Sequence, residues 1–313
     1  MTTSSSLSYL GIDFANIEKN VGNCLIDDDG QTLSARFTDK VPHVSEVRLT
    51  AIDCPLGTSQ GFEMGLRGEL SDVSEDGWKT RLTERTLRSV VEAYATNQAW
   101  KTAKGQLRTK AARAQYSGPY FHPTSHIQPS VGMVIVPALL QFVGRQLCPD
   151  GKPDRRLEAI REARAGNGPI VEAHPRLFLY SLLERTQQSG QPIPLETLRA
   201  AARYKVKDSE EGLGDLTTGS SCRRHLLDFI LRHPEWTGIA CKRTISVDGA
   251  LEKLIEDDHA FDAWLSALTA WAHARQETLT WAALRMPEDV SRAEGHILVL
   301  RQGKGVDTQA PPQ

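Results

Sequence analysis

The sequence predicts an α/β fold built on a mixed sheet, and three observations carry that prediction. Residues 9–12 form an apolar run that ends on Asp13. Two extended runs, residues 21–26 and 32–37, flank Asp27-Asp28-Asp29-Gly30. Asp-Gly between such runs signals an antiparallel hairpin. A fourth apolar run, residues 48–55, carries another aspartate, Asp53, near its end.

Helical patterns dominate afterwards. Residues 58–78, rich in Gly, Ser and acids, read as a loop, and residues 80–95 have helical periodicity. Residues 96–130 read as irregular, and a helix is expected over 131–147. Residues 148–168 read as a loop with a helical turn at 155–165. Residues 170–172 form a strand end, and Pro175, at home in a first helical turn, opens a helix to about residue 185. Short helices are expected over 195–207 and 220–233, a long one within 247–275, and a short strand over 296–300.

The chain has 313 residues, 40% hydrophobic and 24% charged, enough for a large core. Its net charge of −2 makes no case for nucleic-acid or membrane binding by the chain as a whole. The opening residues have neither a basic region nor a long apolar stretch, so no signal peptide is expected. The longest apolar stretch, residues 131–143, is too short to span a bilayer. Five scattered cysteines (Cys24, Cys54, Cys148, Cys222 and Cys241), with no C-x-x-C pair, point to free thiols in a reducing cytoplasm.

Carboxylates gather where the apolar elements end: Asp13, Asp53, Glu172, and Asp257, Asp258 and Asp262 on the late helix. Asp258 and Asp262, four apart, share a helical face, with His259 near it. Ligands of open α/β sheets collect at the carboxyl ends of strands. Neighbouring parallel strands ending in Asp13 and Asp53, completed by a helical acid, make an oxygen-rich cage suited to Mg²⁺ or Mn²⁺. Other roles compete. Glu172 is placed as well for a buried salt bridge with Arg85 or Arg88, and Asp258 for capping its helix.

The order of strand with Asp, hairpin, strand with acid and late helix with Asp resembles the ribonuclease H-like fold, in particular its Holliday-junction resolvase branch. A closer likeness is to the DUF429 family of predicted nucleases. The residues that carry it are Gly11-Ile12-Asp13, Ala51-Ile52-Asp53-Cys54-Pro55-Leu56-Gly57, and Arg81, Glu84, Arg85 and Arg88 in an R-x-x-E-R-x-x-R array. Val171-Glu172-Ala173-His174-Pro175, Asp262-Ala263 and Glu294-Gly295 complete the set in family order. Many members carry an acid after the His-Pro pair, where this chain has Arg176.

The resemblance implies a five-stranded mixed sheet of order 3-2-1-4-5, helices on both faces, and a helical insertion. It implies one domain over residues 1–302, with insertions at about 58–165 and 190–245; the tail over 303–313 is expected to be disordered from its own sequence. It also implies a metal-dependent nuclease with Asp13, Asp53, Glu172 and Asp262 as catalytic residues. Asp13, Asp53 and Asp262 would hold two Mg²⁺ or Mn²⁺ ions, and His259 and Asp258 are possible members of the site.

The expected partner is DNA or RNA. Residues 79–113 hold nine Lys or Arg against two Glu, a local excess suited to phosphate contact through Arg85, Arg88, Lys101, Lys104 and Arg108. Two other readings remain open. One is an ATP-dependent phosphotransferase of the actin and sugar-kinase branch. There a Gly usually follows the first G-I-D, whereas Phe14-Ala15-Asn16 follows here. The other is a nucleic-acid-binding protein that has lost catalysis.

Overall fold

A computed structural model describes residues 8–16, 20–38, 47–57, 81–87, 136–148, 151–205, 218–234 and 249–301. The strands are β1 (Ser8–Asn16), β2 (Asn20–Asp27), β3 (Thr32–Thr38), β4 (Leu49–Asp53) and β5 (Ile170–Ala173). They form one mixed sheet of order β3-β2-β1-β4-β5. The β1–β2 and β2–β3 pairs are antiparallel, while β4 runs parallel to both β1 and β5. This is the ribonuclease H-like topology.

Side chains alternate across a strand, so the register decides which face each one reaches. Tyr9, Gly11 and Asp13 fall in line with Leu49, Ala51 and Asp53 on β4. Ala51 and Asp53 in turn face Val171 and Ala173 on β5. On this face Tyr9, Ala51, Val171 and Ala173 join the largest core cluster. On the other face Leu10, Ile12, Ile52 and Ile170 form a second cluster.

The described helices divide between the two faces. Helices α1 (Val136–Leu147) and α2 (Pro153–Ala165) cover the Leu10 face through Val143 and Ala163. Helices α3 (Pro175–Gln188), α4 (Leu195–Arg203), α5 (Gly219–Arg232), α6 (Ala250–Glu256) and α7 (Asp258–Ala274) build the core on the Tyr9 face. A further short helix, α8 (Glu288–Glu294), lies against α2, where Arg292 pairs with Glu162.

Helix α7 is the centre of the larger core. Every residue from Ala260 to Ala272 is buried, including Trp264 and Trp271, as expected of a helix enclosed on all sides. It lies directly on strand backbone. A Cβ at Gly11 would stand 1.8 Å from the Ala263 carbonyl oxygen, and one at Gly22 would stand 2.2 Å from that of His259. Two bare positions in adjacent strands therefore form the groove that seats the helix.

Several boundaries depart from the sequence reading. The helix expected within 247–275 is present as α7, and a second helix, α6, precedes it across the extended Asp257. The helical turn near 155–165 is the full helix α2, with Pro153 in its first turn and Gly166 at its end. Residues 296–300 do not form a strand. Ile297 makes an isolated parallel bridge to Glu172 at the outer edge of β5, and Leu300 an antiparallel one to Thr278. Of the helix expected over 80–95, residues 82–87 are described and helical. The expected tail, residues 303–313, and most of the expected insertion at 58–165 lie outside the described residues. Cys24, Cys54, Cys148 and Cys222 are not joined in disulfides among the described residues, Cys148 being only partly buried; Cys241 lies outside the described residues. No described helix is long and apolar enough to cross a membrane.

The seating of α7 gives the first prediction. Gly11→Ala places a methyl group inside the α7 backbone, and no side-chain rotation relieves the overlap. The expected loss exceeds about 3 kcal/mol, the upper end of ordinary overpacking. Urea unfolding measures it, and a change below about 1 kcal/mol would show that α7 does not lie on this strand.

Candidate functional site

Asp13 and Asp53 are directly opposed in the parallel β1–β4 register, so their side chains leave the sheet together on the α7 face. Asp262, on the second turn of α7, meets them there. One carboxylate oxygen from each lies within 4.8 Å of the others. Asp13 is 6% exposed and Asp262 fully buried, while Asp53 keeps some surface in solvent at the strand end. Burial raises the pKa of Asp53 well above the usual carboxylate range, and the neighbouring charge of Asp13 raises it further. Asp262 is also shifted upward, chiefly by burial, against the opposing pull of Lys205.

Other side chains hold the aspartates in place. His259 Nδ1 lies 2.8 Å from Asp13 Oδ2, and this hydrogen bond raises the imidazole pKa. The Tyr204 hydroxyl donates to Asp262 Oδ1 at 2.8 Å. The Lys205 ammonium pairs with Asp262 Oδ2. Both groups come from the end of α4, which the buried Arg223 secures. Arg223 donates to the carbonyls of Tyr204, Ile255 and Glu256, tying the end of α4 to the end of α6. The Arg176 guanidinium lies over the Tyr204 ring, 5.7 Å from its centroid.

Glu172 is not brought to this cluster. It aligns with Ile52, one residue out of step with Asp53, so its side chain leaves on the opposite face of the sheet. There it makes a bidentate pair with Arg81, at 2.6 Å and 2.8 Å, and accepts from the Leu56 amide at 2.9 Å. Arg81 also donates through Nε to Glu84 Oε1 at 3.0 Å and through Nη1 to the Glu294 carbonyl at 3.1 Å. The Glu294 carboxylate accepts from the Leu82 amide. The salt bridge considered for Glu172 therefore exists, but with Arg81 rather than Arg85 or Arg88. Burial nevertheless pushes Glu84 up to about 7 despite the neighbouring guanidinium.

The remaining candidates separate. Asp257, not Asp258, caps α7, accepting from the Ala260 amide at 2.9 Å. Asp258 follows in the first turn and does not share the three-aspartate cluster. Arg85 sits half-buried on the short helix 82–87. Arg88, Lys101, Lys104 and Arg108 lie outside the described residues.

Sequence reading missed Tyr204, Lys205 and Arg223. The signal available was a Tyr-Lys pair ending an amphipathic helix, and nothing local links it to Asp262, 58 positions later.

No family model, curated protein or solved structure matches the chain. The fold and the cluster rest on its own geometry: three aspartates at the carboxyl ends of parallel strands and on the helix seated above them. Such a donor set fits a hard divalent cation. Ligands opposed across one Mg²⁺ are about 4.2 Å apart, close to the span of the three oxygens.

Two predictions follow from the groups around the cluster. Arg81→Met leaves Glu84 and Glu172 buried without their cation. The expected loss of stability is about 3–5 kcal/mol by denaturant unfolding, the usual cost of removing one partner of a buried pair. The second concerns His174, which caps α3 by accepting from the Leu177 amide through Nδ1 at 3.2 Å. Burial first, then the charges of Lys205 and Arg176, lower its pKa from 6.5 to about 3. In this window the unfolded chain binds the proton and the folded one does not. The contribution is whole above about pH 6.5 and falls with decreasing pH by up to about 1.4 kcal/mol per unit. His174→Asn keeps a capping acceptor, so unfolding curves between pH 4 and 7 should lose that part of their slope.

Proposed function

We propose that the protein is a metal-dependent nuclease, hydrolysing phosphodiester bonds at a carboxylate-held Mg²⁺ or Mn²⁺ centre. The observation that carries this reading is the convergence of Asp13, Asp53 and Asp262 at one end of a ribonuclease H-like sheet. The likeness to the DUF429 family, in motif content and order, supports the same activity.

The three aspartates would hold the ion. When bound, it supplies Lewis-acid activation of water and neutralises charge building on the phosphate. The chain's own residues do the positioning. His259 fixes the Asp13 carboxylate, Tyr204 and Lys205 fix that of Asp262, and the β1–β4 register fixes the spacing of Asp13 and Asp53. Glu172 contributes from behind the sheet, with Arg81, by fixing the turn that follows Asp53.

Nucleic acid is the proposed substrate. An acidic centre repels a polyanion, so affinity must come from positive charge elsewhere, and the basic stretch 79–113 is the candidate. Arg81 is committed to Glu172 and Glu84 inside the protein, which leaves Arg85 and the residues beyond it for phosphate contact. The phosphotransferase reading has less support. Where a glycine loop would wrap the nucleotide phosphates, β1 continues as strand through Phe14 to Asn16.

The test is cleavage of single-stranded, duplex and branched DNA and RNA with Mg²⁺ or Mn²⁺, alongside filter binding at several salt concentrations. Asp13→Asn should reduce cleavage by more than the roughly 10–100-fold that losing a supporting residue costs. Its nucleic-acid binding should persist, because the change removes a metal ligand and no phosphate contact. Failure of the wild-type chain to bind any of these substrates at low salt would end the nuclease reading.

A further inference from the structure

We propose that Lys205 is a built-in cation of the aspartate centre, and that the centre accordingly takes one divalent ion instead of two. The inference rests on the metal-centre reading above. A two-ion centre places its ions about 4 Å apart, with one carboxylate shared and the outer carboxylates holding one ion each. Here Asp13 and Asp53 lie side by side in register, and Asp262 meets them from the helix, so an ion added beside the first would draw on Asp262.

Both oxygens of Asp262 are already engaged, Oδ1 by the Tyr204 hydroxyl and Oδ2 by the Lys205 ammonium. A second divalent ion on Asp262 would have to sit within about 4 Å of that ammonium. Even at the dielectric of water, repulsion at this distance weakens binding at least about tenfold.

The lysine is not free to leave without consequence. Its side chain is 39% exposed, but the carboxylate it covers is fully buried. Withdrawing the ammonium would leave a buried anion short of its cation. The backbone that carries it is also fixed, because Arg223 holds the Tyr204 carbonyl and the ends of α4 and α6 together. The ammonium further lies 5.9 Å from the centroid of the Tyr204 ring. Among the described residues the centre thus holds three carboxylates and one permanent cation, with the His259 imidazole on Asp13, which leaves room in charge and in space for one divalent ion bound mainly by Asp13 and Asp53.

The experiment counts Mn²⁺ bound per chain, using calorimetry and the loss of the free-ion electron paramagnetic resonance signal. The proteins are the full-length wild type, Lys205→Met, Lys205→Gln and Lys205→Arg, each confirmed to be folded by a cooperative melting transition above the assay temperature. The expected result is one ion in the wild type and in Lys205→Arg, and two in both neutral variants. The second ion should bind at least about tenfold more tightly than any second ion of the wild type. Two ions in the wild type, or one ion in every protein, would overturn the role of Lys205 while leaving the metal centre standing. No bound ion in any of them would overturn the metal-centre reading and this inference together.

Discussion

Helix α7 lies as close as it does to β1 and β2 because no side chain stands between them at Gly11 or Gly22. That bare contact decides where the rest of the site can be. Gly11 seats the Ala263 turn, so Asp262, one residue earlier, comes down over the carboxyl ends of β1 and β4. Gly22 lies beside Asp13 in the β1–β2 register and receives the His259 turn, so the imidazole reaches the Asp13 carboxylate. A helix held off by one layer of methyl groups would carry Asp262 and His259 several ångströms too high. The long apolar surface of α7, with Trp264 and Trp271 fully packed, supplies the burial that keeps the contact closed.

Much of this was legible in the sequence, for a physical reason. Alternating apolar strands, an Asp-Gly turn and a helix buried on all sides are local patterns, and local patterns declare elements. The two strand-end aspartates were legible too, because an acid at the end of an apolar run demands a partner. What could not be read is the contact partner. Arg81 rather than Arg85 or Arg88 meets Glu172, a choice set by how residues 81–87 dock across 91 positions of chain. Lys205 and Tyr204 meet Asp262 from the end of α4, which Arg223 ties to the end of α6. The face that Glu172 takes follows from parity once the register is known. Asp53 and Glu172 both close strands, but in the observed register Asp53 pairs with Ala173, so Glu172 belongs to the other face.

The two faces of the sheet treat buried charge differently. On the α7 side three carboxylates share a small space, and their compensation is partial: one ammonium, one imidazole and one hydroxyl. Such a group of carboxylates could hold a further cation. On the opposite side the Arg81 guanidinium meets Glu172 and Glu84 with nearly all its donors satisfied, and the group is closed to further ligands. A closed, fully hydrogen-bonded ion pair adds little net stability over an apolar core, but it penalises every arrangement in which one partner is missing. Its value here is positional. It joins the short helix 82–87, the turn after β4, strand β5 and the segment at Glu294.

This division changes what the ordered motifs mean. Arg81 with Glu84, Leu56-Gly57, Glu172 and Glu294-Gly295 are distant in sequence and resemble a set of catalytic signatures, yet they meet in one brace behind the sheet. Among the described motif residues, Asp13, Asp53 and Asp262 converge in front of it, joined there by His259, Tyr204 and Lys205. The brace acts on the site through a single element, because Glu172 holds the Leu56 amide and thereby the turn that begins at Asp53. The described part of the brace therefore reports architecture, and the three aspartates form the cluster that could hold a metal. A chain that kept the brace and replaced the aspartates would keep the fold and present an empty front face. What that face offers a ligand in this protein is the three carboxylates and the lysine that sits among them.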